Sequence, residues 1–451
     1  MSTLKVNKIR DNSGSTDAIV LDPSGGAVLA GVTTVSTVKV GSGVTISSDG
    51  DVFTTGITTS SSIIVGSGVT ITESGIEASG IGITCANING AQIGGRRNLI
   101  INGAMQVAQR STSYTGTDSF GSVDRVALID SGTDENPTQA QADVASGTTP
   151  YTLGFRKSFK VTNGNNTSGA GTGDYISIRY RVEAQDVAQS GWNYTSSSSF
   201  ITLSFWVKSS VAQNFYGRLL SQDGSPYSYP FETGSLTADT WTKVVKTIPG
   251  NSNITVTNDN GTGLQLHITP FWGTNYTDNG VTLNQWGAHD GSARVPDYTT
   301  TWYTTNDATF EITGLQLEVG SQATVFEHLS YGEELALCQR YFYMAASGAD
   351  SSDATVAMCL NYSATSARAF FQFPVTMRTI PDIYSVEGTN YFKIFQAGGT
   401  TDLPDSIHGG NERPNMAEMA FEDDVAGMTV GQASLLRLNN AAARIGFTAE
   451  L

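Results

Sequence analysis

Between residues 174 and 183 the chain reads DYISIRYRVE, and its side chains sort by parity. Ile176, Ile178, Tyr180 and Val182 share one side, while Ser177, Arg179 and Arg181 share the other. A period of two is the geometry of a strand with one buried face, and a helix cannot satisfy it. SFITLSFWVKSS repeats the pattern, placing Ile201, Leu203, Phe205 and Val207 inward against Thr202, Ser204, Trp206 and Lys208. GLQLHIT does the same with Leu264, Leu266 and Ile268 against Gln265, His267 and Thr269. In ATFEITGLQLEVG the apolar set runs Phe310, Ile312, Leu315, Leu317 and Val319, so the parity slips at Gly314 and a β-bulge is predicted there. Turns such as NGNNTSGAGTGD, SQDGSPYS and TNDNGTG separate the strands. Many short strands so spaced predict an antiparallel sandwich within an all-β protein.

The first hundred residues follow another rule. VGSGVTI occupies 40–46 and again 65–71, and a 25-residue period brings Gly25, Gly50 and Gly75 into register within IVLDPSGG, VTISSDGD and VTITESGI. Each unit is a β-type triplet, a polar turn and a glycine suited to a tight turn. Such a unit has too few apolar side chains, chiefly Val44, Ile46, Val65 and Ile71, to enclose a core alone. Its neighbours in the chain, or the same repeat in partner chains, must complete it. Three repeats without an evident capping unit favour partner chains, and the β-branched residues are more than a flexible linker needs.

Composition excludes several classes. With 25 Lys and Arg against 41 Asp and Glu, the net charge is −16, and only Arg96–Arg97 comes close to a linear basic cluster, which argues against a nucleic-acid partner. The opening MSTLKVNKIRDN carries charges where a secretory signal has its apolar core, and no apolar run is long enough to span a membrane. Assembly in a cytoplasm is the expectation. Cys85, Cys338 and Cys359 have no metal or redox spacing and are read as buried thiols.

No catalytic signature is present: HExxH, GxSxG, a Walker loop and CxxC are all missing, and SGAGTGD lacks the helix a phosphate loop requires. The expectation is a protein without enzymatic activity or cofactor. His267 projects from a strand's polar face, His328 precedes a helix, His289 and His408 sit in turns, and their spacing fits no metal site. Acidic turns at Asp130, Asp134, Glu135 and at Glu422, Asp423, Asp424 offer oxygen ligands for Ca²⁺ but no EF-hand pattern, so no metal site is assigned. Sugar binding needs flat aromatic faces flanked by amides and hydroxyls. Trp272, Tyr276, Trp286, Trp302 and Tyr303 supply a hypothetical platform, with packing under loops or at chain contacts as the alternative. Strand parity points Trp206 away from the core, toward an open sheet face or a partner subunit, whereas Trp241 reads as core. At −16 the chain would repel an anionic glycan at long range, so binding would depend on short-range contacts or bridging cations.

Toward the C-terminus, Ser330 to Glu333 forms a capping box before ELALCQRYF, predicting a short helix with Leu335, Cys338 and Phe342 as a buried stripe. Val356, Met358, Leu360 and Tyr362 share one strand face, and Phe371, Phe373, Val375 and Met377 share another, with Pro374 at an edge or bulge. SLLRLNNAAARIGFTAEL supplies closing strands, and Tyr391, Phe392 and Phe395 are compatible with the core or with an exposed tip.

NLIINGAMQVAQR, the Asp124–Arg125 pair, ITLSFWVKSS, TWTKVVKTIPG and ITGLQLEVGSQATVFEHLSYGEELALCQRYF together resemble the jelly-roll, carbohydrate-binding-like module of bacteriophage tail fibres. FPVTMRTIPDI and FTAEL resemble the small β domain closing such fibres, and MSTLKVNKIRDNSG with its repeats is similar to fibre stalks of marine, especially cyanobacterial, phages. Val126 departs from the aromatic residue common after the DR pair. The resemblance implies an attachment and stalk segment (1–97), a jelly-roll domain (98–329) and a C-terminal β domain (330–451), in a homotrimer located in the virion tail. The N-terminus would join other tail proteins, and the distal part would bind a host surface glycan without inserting into the membrane. A tailspike-type depolymerase and a purely structural spacer are the rival readings.

Overall fold

The computed structural model describes residues 97–116, 119–349 and 353–451, together with the backbone of six short strands among the first 96 residues. The chain divides into two compact units, Met1–Ile83 and Thr84–Leu451. In the first, Lys8–Arg10, Asp17–Leu21 and Ala27–Leu29 form one antiparallel sheet, and Val38–Val40, Val44–Ile46 and Val52–Thr54 form another. Strands therefore flank DPSGG and SSDGD where the repeat has its apolar triplets. The third copy, Cys85 and the association of repeats with partner chains lie outside the described residues.

In the second unit, alternation becomes two six-stranded antiparallel sheets. One runs Thr242–Pro249, Phe200–Ser209, Thr309–Val319, Lys157–Thr162, Thr138–Asp143 and Ser113–Thr115. The other runs Gly287–Ala288, Tyr227–Ser235, Asn214–Ser221, Thr262–Trp272, Tyr175–Glu183 and Ala127–Ser131. The chain crosses repeatedly between the sheets, with hairpins such as Asn214–Ser221 to Tyr227–Ser235 staying within one, giving a jelly-roll-like sandwich. Its core takes Leu203, Phe205, Phe310 and Ile312 from the first sheet and Ile176, Ile178 and Leu266 from the second, as the parity predicts, and adds Phe231 from Tyr227–Ser235. The predicted bulge is present: the pairing slips between Ser204 and Trp206, opposite Gly314, whose φ is +63°. A Cβ there would lie 2.6 Å from the Phe155 ring, so both conformation and space require glycine.

The predicted helix spans Tyr331–Gln339 with its capping box formed. Cys338 is buried and Leu335 partly so, but Phe342 opens the strand Phe342–Ser347 instead of ending a helical stripe. Beyond it lie a three-stranded sheet (Phe342–Ser347, Arg444–Thr448, Asp382–Val386) and a seven-stranded one centred on Thr355–Asn361. Phe371, Phe373, Met377 and Phe392 enter their shared core, while Pro374 falls just past the strand Ser366–Gln372. His408 lies in the strand Ser406–Gly409, not in a turn.

One expectation turns inside out. Met358, Leu360 and Tyr362 do share a face, but it is the outer one, and they are 71%, 47% and 67% exposed. The inner positions of that strand belong to Cys359 and to Asn361, whose amide donates to Gln396 Oε1 (2.9 Å) and Thr429 O (3.1 Å).

Sandwich and C-terminal sheets meet through buried ions. The Arg125 guanidinium pairs with Glu450, donates to Arg181 O (2.8 Å) and stacks 3.4 Å above the Tyr341 ring centre. Arg340 grips Glu183 through two hydrogen bonds of 2.8 Å, and Tyr341 donates to the same carboxylate.

Candidate functional site

Three adjacent strands of the second sheet turn polar side chains away from the core. Arg179 and Arg181 come from Tyr175–Glu183, Gln265 and His267 from Thr262–Trp272, and Arg218 from Asn214–Ser221. The register sets both Arg179 and Arg218 opposite His267. With neighbouring strands ~4.8 Å apart, their backbones stand roughly 10 Å apart with the imidazole between them. His267 is buried; its Nδ1 lies 3.1 Å from Ser177 Oγ, and its Nε2 accepts from the Gln265 amide, an arrangement that suits the neutral ring. Burial, then the charges of Arg218, Arg179, Arg294 and Arg181, hold its pKa well below the usual range.

The segment 273–300 folds against this face. Asn284 N donates to Pro230 O (2.8 Å), His289 N to Pro226 O (2.9 Å) and Arg294 N to Tyr276 O (2.9 Å). These bonds place the Arg294 guanidinium 4.5 Å from the Tyr276 ring centre and 5.4 Å from that of Trp272. Arg218 approaches Trp272 to 5.2 Å and shares a 3.1 Å hydrogen bond with His289 Nδ1. Burial, reinforced by Arg218 and Arg294, pushes His289 down to about 4, so the ring is a neutral acceptor at neutral pH. Tyr276 meets Tyr175 edge to face at 5.6 Å. Beside Arg294 opens a groove of about 430 Å³ whose walls include Ser228, Thr282, Gln285, Asp278 and Asp290.

Among the described residues, none of Arg179, Arg181, Arg218 and Arg294 has a carboxylate within ion-pair distance. Burial lowers all four pKa values, Arg218 to about 9 and Arg181 to about 10, leaving each cationic at neutral pH. Arg179 Nε, Arg218 Nε and Trp272 Nε1 are buried with no hydrogen-bond partner. Such donors are costly to leave unpaired.

The six aromatic residues singled out from sequence do not form one platform. Trp272 and Tyr276 join the arginine face, although Trp272 is only 1% exposed, covered by the cations around it. Trp302 and Tyr303 are fully buried: Trp302 donates to Thr309 O (3.0 Å) and Tyr303 stacks on Phe271 at 4.4 Å, so neither offers a face to a ligand. Trp286 donates to Pro249 O (2.6 Å) and packs edge-on against Tyr229. Trp206 lies on the outer face of the other sheet, beside a cleft of about 230 Å³ shared with Phe155, Phe326 and Lys243. Trp241 is half-buried near it rather than in the main core.

Sequence reasoning recognised the shared face of Arg179 and Arg181 but drew no site from it, and it missed Arg218 and Arg294. Residues 179 and 294 are too distant in the chain to register as a cluster. The usable signal was parity: Arg179, Arg181 and His267 all occupy outward positions of strands. Basic residues are therefore dispersed along the linear sequence yet clustered on the folded sheet.

No protein-family model and no curated protein matches this chain. Solved structures similar to it include one described as "CBM4 structure and function", 12% identical over 48% of this chain and 97% of that one, at a TM-score of 0.25. Another is the CBM22-1 xylan-binding domain from Paenibacillus barcinonensis Xyn10C, 11% identical over 47% and 94% (TM-score 0.22). A third is the family 11 carbohydrate-binding module from Clostridium thermocellum in complex with a β-1,3-1,4-mixed-linked tetrasaccharide, 13% identical over 48% and 99% (TM-score 0.20).

Proposed function

We propose that this protein is a non-catalytic glycan-binding component of a bacteriophage tail fibre. Residues 1–97 attach it to the other tail proteins and form the stalk, 98–329 bind a bacterial surface glycan, and 330–451 close the fibre. The observation that carries the binding reading is the outer sheet face, where amide and guanidinium donors lie beside Tyr175, Tyr276 and an open groove. Polar groups in fixed positions beside aromatic surface suit the alternating polar and apolar faces of a sugar. The phage setting rests on the sequence resemblance from NLIINGAMQVAQR to FTAEL. A homotrimer is supported by the outer row of the C-terminal sheet, where Met358, Tyr362 and Phe370 are more than half exposed in a single chain, as a surface awaiting other copies of it would be.

Adsorption of the full chain to host cells and to their purified polysaccharide tests the binding reading. Saturable retention without release of new reducing ends is expected; absence of retention removes the adhesin reading, and steady release of reducing ends replaces it with an enzyme. Mass measurement in solution tests the assembly: a stable species at the single-chain mass of 47.7 kDa contradicts the trimer.

A further inference from the structure

The four arginines of the sandwich face require an explanation. The chain carries 41 acidic residues against 25 basic ones, so a random neighbour of a guanidinium is more often a carboxylate than another cation. Arg110, Arg125, Arg340 and Arg368 each have such a neighbour within 4 Å, and Arg156, Arg378 and Arg444, which do not, donate to backbone carbonyls. Arg179, Arg181, Arg218 and Arg294 instead crowd around one neutral imidazole. Their mutual repulsion and partial burial disfavour the unliganded face, and an anion arriving there would relieve both. Arg218 is 3% exposed and its Nε lacks a partner; Arg179 is half-buried with its own Nε unpaired.

We propose that this face binds an acidic saccharide, with the anionic group of a sugar residue held by Arg179, Arg218 and Arg294. The proposal rests on the glycan-binding reading above and gives it a ligand class. Carboxylate of a uronic acid and sulfate ester are the two sources of that anionic group; the first is planar and the second tetrahedral, and each presents a pair of oxygens that a guanidinium binds through paired N–H donors. The Gln265 amide, already ordered on His267, and the Tyr175 and Tyr276 rings border the same face and suit the neutral remainder of the sugar. A nucleic acid is the less fitting polyanion. Its closely spaced phosphates would meet four cations and then the field of a chain with net charge −16, whereas an acidic polysaccharide spreads its charges along the sugar backbone.

The test uses the full chain in isothermal titration against four polymers: polygalacturonate, the same polymer with its carboxyls reduced to alcohols, dextran sulfate and a single-stranded oligonucleotide. Binding to polygalacturonate or to dextran sulfate at least tenfold tighter than to the reduced polymer is expected, and whichever binds more tightly identifies the anion. R179Q and R294A should each weaken that binding by about tenfold, in keeping with loss of one charge-assisted contact. K160Q, which removes the same charge from the opposite sheet, should leave it unchanged, and tryptophan fluorescence confirms that each variant is folded. Binding of both polygalacturonate and dextran sulfate no tighter than that of the reduced polymer overturns the acidic class while leaving glycan binding intact. Failure to bind any polysaccharide removes both, and an oligonucleotide bound as tightly as either acidic polymer overturns the saccharide assignment.

Discussion

Arg125 and Arg218 are both buried arginines of one β-sandwich, yet their surroundings are opposite. Arg125 lies at the junction with the C-terminal sheets, where its terminal nitrogens meet the Glu450 carboxylate and the Arg181 carbonyl and its plane stacks on the Tyr341 ring, although its Nε, like that of Arg218, has no partner. Burial is the largest influence and works against its charge, but Glu450, Tyr180 and Tyr341 together outweigh it and raise its pKa above the ordinary value. Arg218 has a neutral histidine, an indole and a second arginine, and burial followed by Arg294 pushes it down to about 9. The difference separates two uses of one residue type. A guanidinium paired inside the chain holds the fold; one left unpaired at a surface is available to something else.

Thermodynamic measurements can break that contrast. All six tryptophans fall between residues 192 and 302, so their fluorescence reports the sandwich specifically. Arg125→Ala should have the largest effect: it removes the nearer of two guanidinium partners from the buried Glu450 carboxylate, leaving Arg110 at 3.4 Å, and should cost about 3 kcal/mol in denaturant unfolding, the lower end of what removing one partner from a buried pair costs. If Arg125→Ala costs no more than an exposed substitution, the junction arginines are not structural and the contrast fails.

Acid should weaken the same junction next. Burial raises the Glu183 pKa, but hydrogen bonds from Arg340 and Tyr341 outweigh it and hold the pKa below the ordinary 4.5. A depressed carboxylate contributes stability in full above its unfolded pKa and loses it as pH falls through the folded one. The unfolding midpoint should therefore drop below pH 4.5, and less steeply in Glu183→Gln.

Arg218→Met should move stability little, or raise it by about 1 kcal/mol, because it removes an uncompensated buried charge while retaining contact with Trp272. A loss as large as that of Arg125→Ala would make the sheet face structural. The smallest effect in the free protein belongs to His289: its imidazole should titrate near pH 4 by NMR and shift upward when an acidic ligand is bound, since an anion offsets the Arg218 and Arg294 charges. An unchanged titration in the saturated protein would place the anion elsewhere.

Much of the fold was legible in local chemistry. Alternation identified the inner face of Tyr175–Glu183, Phe200–Ser209 and Thr262–Trp272, and the slip at Gly314 located a bulge to the residue. The same reasoning misread the outlook of Met358, Leu360 and Tyr362. Parity states that two faces differ, not which one meets the core, and here the inner face is taken by Cys359, Ala367 and Ala369. Of the site, Trp272 and Tyr276 were recognised from composition, but Trp302 and Tyr303 were buried by a short helix, Thr301–Thr304, that local pattern had not revealed.

By itself the sequence determined the strand periodicity, the bulge, the capping box and the acid excess, because each depends on neighbours within a few residues. Only the tertiary structure decided which charges face one another. Arg179, Arg218 and Arg294 converge because antiparallel register aligns two of them across His267 and a long loop returns the third to the same face. Electrostatic energy depends on distance in space, and a chain that folds back on itself makes that distance independent of position in the sequence.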